Sequence, residues 1–338
     1  MITNRNKWSW QAEALALAVG ALVLALLPAV FGDSYTRHML IIIFIYALAA
    51  ASWDVSLGYA GIFNFGHMAL FGIGLYGYAI LTKQLELNPW LAFGLAGLLS
   101  GAAAALMALP ILRLKGIYIV LVTFGFSQLV MTLIVSQSDI TGGTLGIVRI
   151  PTLPIAGHNL LRDGKFGHYY MALALLLLGL VALRLFVRSR AGLSVVALRD
   201  NEEYATSRGI SLARQRLLTL VVSSLVAGYA GAFYGAYLRT AAVDVFGLSL
   251  TTLILSIVLL GGIGTIYGSV AAAALLVVAS EILSDLGPWR PMLIAVLIMT
   301  VMLAYRGGLM GLLRSAWAMR RQPSAAGENA VARKPVET

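Results

Sequence analysis

The sequence contains no cysteine. A disulfide framework and a thiolate metal site are both excluded. Charge is also scarce. Asp, Glu, Lys and Arg supply 11% of 338 residues, while 60% are hydrophobic. A soluble domain carries about 25% charged residues, so a soluble globular fold is excluded and a polytopic membrane protein is expected. Histidine is rare too. His67 has no second His at ligand spacing, and His38, His158 and His168 lie elsewhere, so no metal site is expected. A phosphate-binding loop of the form G-x-x-x-x-G-K-[ST] is also missing. Gly164-Lys165 runs into Phe166, and the stretch Gly261 to Gly268 holds no Lys. The chain therefore has no backbone cradle of that kind for ATP, and any ATP that drives it must act in another chain.

Acidic groups within the apolar runs are few. Glu13 opens the first run, Asp54 closes the second and Glu281 lies near the end of the ninth. Ionised groups in lipid are costly and mark function when they occur. None of the three falls at a midplane, no Asp/Glu/His chain forms a proton relay, and no Ser/His/Asp set shares a depth. An ion-coupled carrier or an intramembrane enzyme has little to work with. The net charge of +10 is read as loop arginines facing the cytoplasm and anionic lipid, not as a nucleic-acid surface.

Runs of about 20 apolar residues cross a bilayer. Ten such segments are marked, over roughly 12–31, 38–57, 59–81, 90–112, 116–136, 168–187, 215–238, 248–264, 266–283 and 290–306. The lead through Trp10 passes into a run too long for the apolar core of a signal peptide, and no small-residue cleavage site stands out. Ten spans place both termini on one side. With the termini inside, Arg37, Lys83, Arg149, Arg162, Lys165, Arg239 and Arg290 fall outside and the other 17 of the 24 basic residues fall inside, as the positive-inside rule requires. The expected fold class is thus an all-α polytopic membrane protein of about ten transmembrane helices, some broken or re-entrant, with N and C termini cytoplasmic. Residues 1–11 form a cytoplasmic lead and 12–306 the transmembrane domain. Within it, 137–167 is an external loop, read as an irregular connector from Gly142-Gly143, Pro151, Pro154 and Gly157. Residues 307–321 form an interfacial helix or a plain stop-transfer flank, and 322–338 a disordered tail.

Two glycine-rich stretches interrupt the apolar pattern. One runs G-Y-A-G-I-F-N-F-G-H-M-A-L-F-G-I-G-L-Y from Gly58 to Tyr76, the other G-G-I-G-T-I-Y-G from Gly261 to Gly268. Glycine permits close helix contact and also broken helices. Two readings stand. The glycines serve tight packing, or Asn64, His67 and unwound backbone near Gly61 and Gly66 line a pathway, with Gly58, Gly261, Gly262 and Gly264 beside it.

One segment is charged. Arg188 to Arg216 holds nine of the chain's 38 charged residues, and the basic-residue count puts loop 188–214 in the cytoplasm. Asp200-Asn201 supply an N-cap acceptor ahead of Glu202 and Glu203, which suit a helix N-terminus. Arg208 and Gly209 suit its end. A helix of about two turns is expected there, in place of a plain solvated loop. Glu203, Ala205 and Gly209 match the E-A-A-x-x-x-G pattern by which ATP-binding-cassette importers dock their motor, with Tyr204 in place of the middle Ala and the downstream I-x-L-P part absent.

These features together resemble the permease family for branched-chain amino acids, in its LivM-type subunit. The glycine-rich stretch from Gly58, the segment R-A-G-L-S-V-V-A-L-R-D-N-E-E-Y-A-T-S-R-G-I from Arg190 to Ile210, and G-G-I-G-T-I-Y-G-S-V from Gly261 carry the likeness, in order, between about residues 38 and 306. Asp54 and Asn64 depart from the Asn and small hydroxyl residue expected there, and permeases for urea or short amides look similar. The resemblance implies a transport subunit without enzymatic activity of its own, set in the inner membrane. It implies a heterodimer with a LivH-type permease, two cytoplasmic ATPase subunits that bind ATP and Mg, and a periplasmic binding protein that delivers cargo. Arg199, Asp200, Asn201, Glu202, Glu203, Ala205, Arg208 and Gly209 would then form the ATPase-docking site. The competing reading is an autonomous secondary carrier.

Overall fold

The computed structural model describes residues 10–30, 33–154, 165–304 and 308–311. Its helices in chain order are α1 (Trp10–Val30), α2 (Ser34–Asp54), α3 (His67–Lys83), α4 (Pro89–Ile111), α5 (Ile117–Ser136), α6 (Ser138–Thr141) and α7 (Phe166–Arg188). Then come α8 (Arg190–Asp200), α9 (Glu202–Ser207), α10 (Leu212–Leu238), α11 (Leu248–Gly261), α12 (Ile266–Ile282) and α13 (Arg290–Ala304). All ten apolar segments coincide with helices. Boundaries shift by a few residues in several places, and two of the shifts fall at glycine-rich pieces. The third helix begins at His67 and not at residue 59, and the eighth ends at Gly261 and not at 264. In both places a glycine-rich piece that continues the apolar run leaves the helix. Residues 308–311 are helical. The rest of the expected helix over 307–321, the tail 322–338, the lead 1–9 and the loop residues Gly157, His158 and Arg162 lie outside the described residues, as does the side chain of Glu13.

Among the described residues, five stretches are long and apolar enough to cross a membrane: Ser34–Tyr59, Pro89–Ile111, Ile117–Ser136, Phe166–Arg188 and Leu212–Leu238. Helices α11 and α12 are shorter, at 14 and 17 residues. α12 nevertheless lies antiparallel beside α2 over nearly the whole of it. At one end the Tyr35 hydroxyl donates to Glu281, and at the other Asp54 accepts from the Gly264 N–H.

α2 is the hub. It packs against α7, α10, α11 and α12, and its run Ala47-Leu48-Ala49-Ala50-Ala51 is almost fully buried. Methyl-sized side chains let four neighbours approach one axis. A second crossing joins α10 to α3 and α4. A Cβ added at Gly231 would lie 2.0 Å from the Phe71 carbonyl oxygen, and one at Gly74 would lie 2.2 Å from that of Gly228. Ser100 of α4 donates to the carbonyls of Leu70 and Ser224, a polar tie suited to a medium that offers no water. α5, by contrast, turns Leu121, Leu129 and Leu133 outward, as a lipid-facing helix does.

Residues 137–154 of the loop after α5 contain short regular elements. These are α6, a 3-10 turn at Gly143–Leu145 and a strand β1 (Ile147–Val148) that pairs antiparallel with β2 (Thr240–Ala241) beyond α10. Gly142, Gly143 and Gly146 all have positive φ, so the glycines shape defined turns and do not loosen the chain. Tyr78, Lys83 and Trp90 donate to the carbonyls of Pro151, Val148 and Pro154. This end of the molecule is tied down.

The helix crossing gives a direct test. Gly231→Ala is expected to destabilise by about 1–3 kcal/mol, because the methyl meets rigid backbone. Gly94→Ala, where nothing lies within 4 Å, is expected to be neutral or stabilising. Thermal unfolding in detergent reads the difference, and equal midpoints for the two variants would refute the close crossing.

Candidate functional site

The two glycine-rich stretches and the charged loop meet at one end of the bundle. α2 ends at Asp54 and widens into a π-turn, Val55–Tyr59. The backbone then leaves helical geometry. Gly61 takes φ +67° and the helix resumes only at His67. Side chains satisfy the break: the Gly66 N–H donates to Asn64 Oδ1 (2.9 Å) and the Phe65 N–H to Thr123 Oγ1 of α5 (3.0 Å). Irregular backbone at membrane depth persists only where protein shelters it, and Asn64 is fully buried here. His67 is fully buried as well, with Nε2 3.0 Å from Ser52 Oγ and its ring stacked on Trp53.

The second stretch makes the turn between α11 and α12. Gly262 and Gly264 take φ +101° and +79°, a region that costs an L side chain about 1–2 kcal/mol. Gly261 lies against Gly268, where an added Cβ would come within 2.5 Å of backbone. The turn is held to the end of α2 by Asp54, whose Oδ1 accepts from the Gly264 N–H at 2.7 Å. Gly58 lies between them. A Cβ there would fall 2.3 Å from both Asp54 Oδ1 and the Gly264 nitrogen.

The charged loop folds as two helices. Ser189 caps α8 by accepting from the Gly192 N–H, and Asn201 caps α9 by accepting from the Tyr204 N–H at 2.9 Å. α9 ends at Gly209 with φ +83°, where the Ile210 N–H returns to the Ala205 carbonyl. The expected short helix is present, although at Glu202–Ser207 it is nearer one and a half turns than two. α8 before it had no counterpart in the sequence reading.

The eight residues assigned to docking divide into two sets. Asn201, Glu203, Arg208 and Gly209 face solvent with Tyr204, which is 60% exposed. Arg208 donates to the Tyr204 hydroxyl. The other set makes its contacts within the chain. Ala205 is buried. Glu202 pairs with Lys115 at 2.6 Å and with Arg216 at 3.5 Å, and Arg216 also donates to the carbonyl of Leu114. The first turn of α9 is thereby clamped to the α4–α5 turn and to the start of α10. Arg199 turns toward the membrane helices. Its Nη1 donates to the Gly58 carbonyl at 2.6 Å, while Nε and Nη2 hold Asp200, itself exposed.

Two cavities open here. One, of about 160 Å³, lies between Gly61, Leu198, Arg199, Glu202 and Arg216. The other, of about 330 Å³, is bounded by Gly61, Phe63, Ile117, Ile119, Val120 and Arg216. Of the residues assigned to a pathway, Gly61 lines both. Gly58, Asn64, Gly66, His67, Gly261, Gly262 and Gly264 line neither. Sequence reasoning missed Lys115, Arg216 and the reach of Asp54. A signal was present for the last, because Asp54 and Gly58 are one helical turn apart and share a face.

Helices of this length and apolarity, joined by charged connections at one end and a tied loop at the other, define a multi-pass membrane protein. Its kind follows from comparison. Residues 35–305 match the family described as branched-chain amino acid transport system / permease component, and the chain belongs to that family, as an ATP-binding-cassette permease of LivM type. It is 30% identical over 291 residues to the high-affinity branched-chain amino acid transport system permease protein LivM of Salmonella typhimurium, covering 80% of this chain and 68% of the relative. The LivM protein of Escherichia coli is 29% identical over 307 residues, covering 85% and 72%. A probable LivM protein of Methanocaldococcus jannaschii is 25% identical over 238 residues, covering 60% and 67%. No solved structure matches the chain.

The cap on α9 can be tested locally. Asn201→Ala removes the acceptor of the Tyr204 N–H, a loss worth about 1 kcal/mol. Hydrogen exchange of the α9 amides is expected to speed up about fivefold while α10 is unchanged. Unaltered exchange in α9 would show that Asn201 does not hold the helix.

Proposed function

We propose that this chain is the membrane-spanning subunit of an importer that moves branched-chain or related hydrophobic amino acids into the cytoplasm across a bacterial inner membrane. Energy comes from ATP bound with Mg in two separate ATPase subunits. A LivH-type permease completes the membrane unit, and a periplasmic binding protein delivers cargo. The observation that carries this reading is α9. It is a capped helix that, with the Arg208 that follows it, presents Glu203 and Tyr204 to solvent while Glu202 ties its first turn to the α4–α5 turn and the start of α10. In this reading it seats in a cleft of the ATPase, as the E-x-A-x-x-x-G spacing implies. The absence of a phosphate-binding loop fits a motor in another chain. The bias of basic residues supports a cytoplasmic location for this end and for both termini.

A zwitterionic amino acid with an apolar side chain needs an apolar wall and a few polar groups at its ends. The larger cavity beside Gly61 has that character, with Phe63, Ile117, Ile119 and Val120 on its walls and Arg216 at its edge. We place the inner mouth of the path there. Asn64, Gly66 and His67 shape it from the helix break, Gly58 from the π-turn before it, and Gly261, Gly262 and Gly264 from the facing α11–α12 turn.

The experiment is assembly and transport. Glu203→Lys reverses a charge on the exposed side of α9, and Gly209→Val strains a position at φ +83°. Each is expected to reduce co-purification of the ATPase subunits and ATP-dependent uptake in proteoliposomes by about tenfold, equivalent to about 1.4 kcal/mol of binding. Normal assembly and uptake in both variants would remove the docking assignment.

A further inference from the structure

Arg199 belongs to the docking loop by sequence but to the glycine crossing by contact. Its stem lies along Gly61, with Cγ 2.9 Å from where a Cβ at that glycine would be. Its Nη1 reaches the Gly58 carbonyl at 2.6 Å and lies 4.0 Å from a Cβ placed on Gly264. On the far side of Gly58, Asp54 grips the Gly264 N–H at 2.7 Å. The carbonyl of one glycine-rich stretch is thus held by a cation from the cytoplasmic loop. The N–H of the other is held by a carboxyl oxygen from α2. Three segments far apart in sequence converge on one glycine through two side chains.

The Arg199 side chain is 39% exposed while Gly58 is buried, so the bond joins the solvent edge of the loop to the interior of the bundle. What the bond adds is a connection. Arg199 is in the last turn of α8 and α9 begins at Glu202, so a displacement of α9 pulls on Arg199 with little slack. A bond of 2.6 Å passes out of hydrogen-bonding range with a movement of about 1 Å. The cavity of about 160 Å³ beneath it leaves room for the guanidinium to swing. Gly61, Gly262 and Gly264, all at positive φ, can turn where other residues would resist.

We propose that Arg199 and Asp54 form a latch that couples the docking helix to the junction of the two glycine-rich stretches. Arg199 is a positioning residue that acts through the Gly58 backbone. With the latch closed, as in this structure, the end of α2 and the α11–α12 turn are locked together. Movement of α9 draws Arg199 off Gly58, loosens the Asp54–Gly264 contact and frees the two stretches to separate. The inference rests on the importer reading above and specifies where motion of the motor enters the membrane helices.

The test uses the complete transporter in proteoliposomes, with a mixture of leucine, isoleucine and valine. Uptake and ATP hydrolysis are measured in the same vesicles. Arg199→Gln is expected to lower the amino acid carried per ATP hydrolysed by about tenfold. Hydrolysis and co-purification of the ATPases should stay within about twofold of the unmodified complex. Asp54→Ala, which removes the oxygen that accepts from the Gly264 N–H, should lower the same ratio, and the double variant should be no worse than Arg199→Gln alone, because the two side chains serve one latch. An unchanged ratio overturns the proposal. So does a parallel fall in uptake, hydrolysis and assembly, which marks a structural role, and so do additive losses in the double variant. An unmodified complex without ATP-driven uptake removes the importer reading, and the latch with it.

Discussion

Close approach of backbone to backbone is the constraint on which this molecule depends. In lipid there is little hydrophobic gain from pressing one apolar helix against another, so association relies on packing and on hydrogen bonds. The chain meets that condition with small residues where helices cross. Alanines line α2, and Gly74, Gly228 and Gly231 bring α3 and α10 into near contact. The same device recurs at the end of α2, where Gly58 admits both Asp54 and the Gly264 nitrogen. Here, however, the neighbours are turns and side chains, not helix faces. Glycine in the bundle fixes helices together, and glycine at the junction lets a charged side chain reach main chain.

Much of the fold was legible in composition and periodicity. Each of the ten apolar segments is a helix, because a run of that length in lipid has no other way to satisfy its peptide groups. The short helix at Glu202 was legible from its caps, since Asn201 and Gly209 carry the chemistry of a start and a stop. The break before His67 was visible as a possibility in Gly61 and Gly66. Its extent was not, since Ile62, Phe63 and Phe65 continue the apolar run and only φ at Gly61 reveals the departure.

What remained hidden is where side chains point. Arg199, Glu202 and Glu203 are near neighbours in one charged segment, yet the first two turn inward and the third outward. That division depends on partners more than 80 residues away, Gly58 and Lys115, which local pattern does not report. The strand pair of Ile147–Val148 with Thr240–Ala241 is another case. Two residues per strand leave no periodicity to read, and the pairing exists only because α10 ends beside the loop after α5. Asp54 read as an acid at a helix end because its partner is a backbone N–H, which has no signature in sequence.

The strand pair also gives the molecule two ends of unequal stiffness. At that end, Tyr78, Lys83 and Trp90 fasten the loop to α3 and α4, and backbone pairing fastens it to the chain leaving α10. At the other end two cavities border the junction, and no strand pairing joins the described turns there. A bundle braced more firmly at one end responds to a pull at the other by tilting about the braced end. Over a hydrocarbon thickness of about 30 Å, a tilt of about 10° displaces the free end by roughly 5 Å while the pinned end stays nearly still. Displacement is therefore greatest at the junction beside Gly61, where the two cavities already lie.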